Sequence, residues 1–222
     1  MVLMLPREFI NWGYFERVKI LKKQSMEGIS ISVDFLINMM RHTPILATAS
    51  IINGRIFINA KVVGAGFVLK SEFLYEAIEK LKQHVDRGER MNRSEYAREG
   101  IKLLLEVLYF EEEEEAYRRV DFTKISTLEL AKRRPSSSKH TWINIQSNKE
   151  ACLLYYMPPN ISFEIHGEID IHIDGPYYEF VNLVHDVFHY TPPQARIDRP
   201  CLIFNVREVY DNSPKAMGIR LI

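Results

Sequence analysis

The sequence predicts an α+β fold in which antiparallel strands flank a central helical block. Three observations carry this. Between residues 161 and 174, Ile161, Phe163, Ile165, Ile169, Ile171 and Ile173 alternate with polar Ser162, Glu164, His166, Glu168, Asp170, His172 and Asp174. Gly167 interrupts the apolar set without shifting its phase, and a period of two is the mark of a half-buried strand. Two apolar runs, ILATASII and RIFINAKV, meet at Asn53-Gly54, the strongest short-range hairpin signal. Residues 71–118 change to helical spacing.

In chain order, residues 1–25 are mixed, with an apolar start and a basic stretch from Arg17 to Lys23. Residues 32–42 read as a short amphipathic helix capped by Ser32. The hairpin follows, then a helix over 71–87 that stops at Gly88 and a second helix that starts near Ser94, its expected N-cap, and runs through the acidic stretch to Arg119. The run Glu111–Glu115 reads as a solvated helix face with Arg118 and Arg119 as partners. VDFTKIS (120–126) reads as a strand, KRRPSSSKH as a basic, Ser-rich loop, and ACLLYYM as a strand ended by Pro158-Pro159. After the alternating strand, Gly175-Pro176 opens a helix, and CLIFNVREVY is the last long strand.

The chain has 222 residues, enough for one large domain or two small ones. With 29 Lys and Arg against 29 Asp and Glu, it has no global pull toward nucleic acid or anionic membrane. No run of about 18 apolar residues marks a membrane span, and no signal peptide is recognisable, so the expected compartment is the cytoplasm. Cys152 and Cys201 both sit in apolar strand-like runs, where a free thiol packs as a small hydrophobe; a disulfide between neighbouring strands stays open. His185 and His189 share a helix face and His166 and His172 a strand face. No carboxylate or Cys stands at a recognisable spacing from them, so no metal site is predicted.

Four stretches, taken in order, resemble the FMN-binding split-barrel family related to pyridoxamine 5′-phosphate oxidase. LATASIINGRIFINAKV resembles its opening hairpin, whose second strand carries a Lys. SSSKHTWINIQSNKEACLLYY is similar to its phosphate loop, short helix and next strand, and SFEIHGEIDIHIDGPYYE to its central strand with a mid-strand Gly. CLIFNVREVYDNSPKAMGIRLI is similar to its last strand and tail. The chain departs from the family in the helices that stand between its second and third strands, and in lacking a Pro in strand two.

The resemblance implies an antiparallel six-stranded split β-barrel formed by residues 27–70 and 119–222, with 71–118 an inserted helical hairpin and 1–26 an N-terminal extension. It also implies a homodimer that holds FMN between subunits and exchanges electrons with a small-molecule donor or acceptor. On the matching positions, Lys61, Ser137, Ser138, Lys139 and Thr141 would hold the phosphate, with Asn59 and Asn144 as lesser contacts. A dianionic phosphate asks for such cations, hydroxyls and helix-end N–H groups. No side chain is required as a catalytic acid or base, because the flavin carries the redox chemistry.

Two alternatives stand beside this reading. Residues 66–106 resemble a ribbon-helix-helix DNA-binding unit through Arg93, Ser94, Glu95, Arg98 and Glu99, although VVGAGFVL offers no polar side chains to read bases. The other alternative is a non-catalytic assembly module on a split-barrel fold.

Overall fold

In the computed structural model, which describes residues 3–28, 33–129, 139–191 and 199–222, helices open the chain, a strand hairpin follows, and a helical block separates it from the remaining strands. The hairpin is β1 (Ile45–Ile52) and β2 (Arg55–Val62), in register from Ile45↔Val62 to Ile52↔Arg55. Asn53 and Gly54 both take positive φ (51° and 74°), as a tight two-residue turn between right-twisted strands requires. β3 (Ala65–Gly66) follows at once, and β4 (Lys124–Leu128), β5 (Glu150–Met157), β6 (Ile161–His172), β7 (Cys201–Asp211) and β8 (Ile219–Arg220) complete the sheet.

The strand order is β2-β1-β5-β6-β7-β4-β3, with β8 beside β7 and every pairing antiparallel. The fold is thus α+β with a curled, split-barrel sheet. Among the described residues it has eight strands rather than the expected six: six long ones, plus β3 and β8 of two residues each.

β6 holds its alternation across Gly167, but the pairing with β7 shifts between His166 and Gly167. A Cβ at Gly167 would lie 2.1 Å from the Asn205 carbonyl oxygen, so the bulge admits only glycine.

The N-terminal residues enter the core. α1 (Arg7–Ile10) runs through a π-helical turn (Asn11–Phe15) into α2 (Glu16–Glu27). Phe9 and Trp12 meet Tyr155 and Phe163 at ring distances of 4.9–5.8 Å, filling the concave side of the sheet. Buried Tyr14 accepts from the Phe110 N–H and donates to the Leu108 carbonyl, tying this helix to the far end of α5. The acidic run is paired: Glu111 with Lys22, Glu113 with Arg7, and Glu115 with Arg118.

α3 (Val33–Met39) precedes the hairpin; the cap expected at Ser32 lies outside the described residues. α4 (Ser71–Arg87) and α5 (Arg93–Val107) pack on α8 (Gly175–Phe188), and α5 also on α2. The second helix does not run unbroken to Arg119: α5 ends at Val107, Tyr109 and Phe110 turn into the core, and α6 (Glu113–Arg119) starts anew after Glu111 and Glu112. α7 is His140–Ser147. At Gly100 a Cβ would lie 2.4 Å from the Val187 carbonyl oxygen, which is why α5 and α8 can approach so closely. α5 starts one turn-position earlier than expected. Asn92, not Ser94, is its N-cap, accepting from the Glu95 N–H at 2.8 Å while its own amide donates to the Glu95 carboxylate.

Candidate functional site

The inner face of the β1–β2 hairpin is polar, and α7 lies across it. Successive side chains of β2 point to opposite faces, so Phe57, Asn59 and Lys61 face the same way as Ser50, Thr48 and Leu46 of β1. Asn144, fully buried on α7, is the peg between helix and sheet. Its amide nitrogen donates to the Thr48 carbonyl and hydroxyl oxygens (3.1 and 3.2 Å), and its carbonyl oxygen accepts from the Ser50 hydroxyl (2.7 Å). Asn59 donates to the Thr141 hydroxyl at 2.6 Å, and the Phe57 ring stands edge-on to His140 at 5.0 Å. Thr141 is buried too, so both α7 residues are turned into the protein and fasten the helix.

That fastening delivers Lys139, the residue preceding α7, to Lys61. The two ammonium groups meet at one carboxylate: Lys61 Nζ lies 2.6 Å from Glu129 Oε2 and Lys139 Nζ 3.6 Å from Glu129 Oε1. The Glu129 side chain is 2% exposed, against 24% and 50% for the lysines, so a buried anion backs two cations that reach solvent. The side chain of Lys139, the N-cap residue of α7, makes no capping bond, and the positive end of the helix lies in the same region.

Of the residues picked from sequence, Asn59, Lys61, Lys139, Thr141 and Asn144 therefore form one cluster on one chain. Ser137 and Ser138, with Arg133 and Arg134, lie outside the described residues. Sequence reading missed Glu129. The available signal was an acid closing β4 immediately before a basic loop, but its pairing with Lys61 spans 68 positions of sequence.

On the opposite face of the same strands the chemistry reverses. Ile51, Ile56, Ile58 and Val62 are 67–76% exposed, and Ile45 and Tyr156 extend the patch. Farther along this face, cross-strand register sets Cys152 directly opposite His166, with Glu164 two residues before it. Ligand atoms of the three lie within 4.8 Å of one another. This corrects the expectation that no Cys or carboxylate accompanies the strand histidines: spacing along the chain does not reveal what a neighbouring strand supplies. Burial, with the nearby Glu164 charge, pushes the Cys152 thiol up to about 11, and the cysteines are free.

An apolar cavity of about 420 Å³ lies elsewhere, between α2, α3, β4 and α8, lined in part by Arg17, Phe35, His42, Leu128, Val184 and Phe188. Burial, reinforced by the Arg17 charge, pushes the His42 imidazole down to about 3, so it is neutral at ordinary pH. The segment expected to act as the strand of a ribbon-helix-helix is built into the core: β3 pairs with β4, and Phe67, Val68 and Leu69 are buried. No helix of the described residues is long and apolar enough to cross a membrane.

Comparison with known proteins gives the following. No protein-family model matches the sequence, and no curated protein matches it. Similar solved structures include HupZ from Group A Streptococcus (11% identity, TM-score 0.41, covering 86% of this chain and 100% of that one). An FMN-binding protein from Syntrophomonas wolfei subsp. wolfei is similar at 12% identity and TM-score 0.41 (89% and 92% covered). A protein from Listeria innocua named as a candidate pyridoxamine 5′-phosphate oxidase is similar at 13% identity and TM-score 0.38 (80% and 95% covered).

Proposed function

We propose that this protein binds FMN as a homodimer and acts as a flavin-dependent oxidoreductase exchanging electrons with a small-molecule donor or acceptor. The observation that carries this reading is the convergence of Lys61 and Lys139 on a single carboxylate. The pair fits a phosphate in donor chemistry. Two ammonium groups with exposed flanks supply charge-assisted donors, and the start of α7 supplies a positive helix end. Lys61 and Lys139 hold the phosphate, while Asn59, Thr141 and Asn144 hold α7 so that Lys139 stays in reach. Ser137 and Ser138 complete the phosphate loop in this reading. Among the described residues β2 ends the sheet, and its outer main-chain edge suits the polar rim of a planar ring system. Bound FMN supplies the redox chemistry; the chain's own residues bind and orient it.

Glu129 is the feature a phosphate has to contend with. Its negative charge positions the lysines and at the same time opposes a second anion beside them. The exposed Ile and Val face of β1 and β2 supports the homodimer, because an uninterrupted apolar sheet face in water is stabilised by a second copy covering it.

Titration of the purified protein with FMN, followed by flavin fluorescence and absorbance, tests the proposal. Changing Lys61→Ala and Lys139→Ala together should weaken FMN by more than about a hundredfold, ~3 kcal/mol, and riboflavin far less. Colourless protein that also refuses added FMN removes the flavin reading. If that protein is still dimeric, the non-catalytic assembly module takes its place.

A further inference from the structure

We propose that Cys152, Glu164 and His166 form a binding site for a zinc-class divalent cation on the outer face of the sheet. The backbone dictates the grouping. Cys152 on β5 and His166 on β6 are register partners, and Glu164 lies on the same face of β6 one pleat away. The three ligand atoms already lie within 4.8 Å of one another. Tetrahedral zinc, with bonds of about 2.0–2.3 Å, sets its ligand atoms on the order of 3.5 Å apart, so side-chain rotation alone closes the shell.

His166 Nε2 and Glu164 Oε1 sit 2.5 Å apart, and a cation would bridge these same two atoms. The other oxygen of Glu164 accepts from the Asn212 amide at 2.7 Å, which fixes the carboxylate's orientation toward His166. The His166 ring stands edge-on to Tyr210 at 5.7 Å. Glu208, across the strand from His166, is engaged by Tyr210 and by Arg220 at 3.0 Å.

Sulfur, imidazole nitrogen and carboxylate oxygen together favour a borderline-soft ion over magnesium or calcium. All three residues are partly exposed, so a fourth position stays open to water or an exogenous ligand. The site is on the opposite face of the sheet from Lys61 and does not depend on the flavin reading.

The test is titration of the full chain with Co²⁺ by absorbance, and with Zn²⁺ in competition with a chromophoric chelator. One equivalent per chain is expected, with a near-ultraviolet thiolate-to-cobalt charge-transfer band. Cys152→Ala should abolish that band, and His166→Gln should weaken Zn²⁺ binding by at least about a hundredfold. Asn212→Ala should weaken it about tenfold through the orientation of Glu164. Circular dichroism of each variant, and its FMN titration, check that the fold and the other face are intact. Absence of Zn²⁺ binding by the folded wild-type protein overturns the proposal. So does binding that survives both Cys152→Ala and His166→Gln.

Discussion

On its inner face the β1–β2 hairpin presents Ser50, Thr48, Asn59 and Lys61, and α7 is bolted to them through Asn144 and Thr141. On its outer face the same two strands present Ile51, Ile56, Ile58 and Val62 to solvent. An ordinary one-sided sheet puts its apolar residues inward and its polar ones outward. Here the arrangement is inverted over one hairpin, while β5 and β6, next in the sheet, bury Leu153, Tyr155, Phe163 and Ile165 in the usual way. The inversion is local, so a local cause is required. A polar inner face seats a helix and gathers cations, and an apolar outer face gains by being covered.

A reference perturbation, remote from both faces, is Asp186→Asn. Arg199 grips this buried carboxylate with two bonds of 2.8 Å, and leaving the buried guanidinium without a counter-charge should cost about 3–5 kcal/mol in denaturant unfolding. Burial opposes ionisation of Asp186, but hydrogen bonds from His185, Arg199 and Thr191 outweigh it and hold its pKa below the usual aspartate range. The carboxylate's contribution is therefore complete above the ordinary value of about 3.9 and is lost as pH falls through the depressed folded value. Asp186→Asn should flatten that acid limb of the stability profile.

Next in size, Asn144→Ala removes the peg on the inner face and strands the Ser50 and Thr48 groups it bonds. A loss of about 1–3 kcal/mol in the same assay is expected, with weaker FMN binding as Lys139 loses its mount. Glu129→Gln tests the anion between the lysines. FMN should bind about tenfold tighter, ~1.4 kcal/mol, once the opposing charge is gone; unchanged affinity would place the phosphate away from the lysines. The smallest effect on the chain itself is on the outer face. Ile56→Thr with Ile58→Thr should shift monomer stability by no more than about 0.5 kcal/mol, yet shift the protein to monomer in sedimentation velocity. A dimer unaffected by both changes would put the interface elsewhere.

Some of this was legible in sequence because it is written locally. Asn53-Gly54 adopts positive φ whatever surrounds it, and the alternation of β6 survives Gly167 because the extra residue of the bulge belongs to β7. Gly100, by contrast, reads only as a break in a helix pattern. Its reason, the Val187 carbonyl against α5, comes from a helix far along the chain. The start of α5 was misplaced because Asn92 and Ser94 are both good cap residues, and it is Asn92 whose side chain accepts from the N–H three residues on, that of Glu95. The N-terminal helices were hidden for another reason. Leu5, Phe9, Ile10, Trp12 and Tyr14 are all buried, so no clean one-sided stripe marks them.

By itself the sequence determined the α+β class, the hairpin, the long strands and the helical block, since each follows from the periodicity of side chains along a short segment. The family resemblance of its strands singled out Lys61 and Lys139. Only the tertiary structure decided that these two share Glu129, that residues 5–21 plug the barrel, and that Cys152 faces His166. Such pairings depend on strand register and on which strand lies beside which. Those are set by the packing of the whole core and leave no mark in the spacing of residues along one segment.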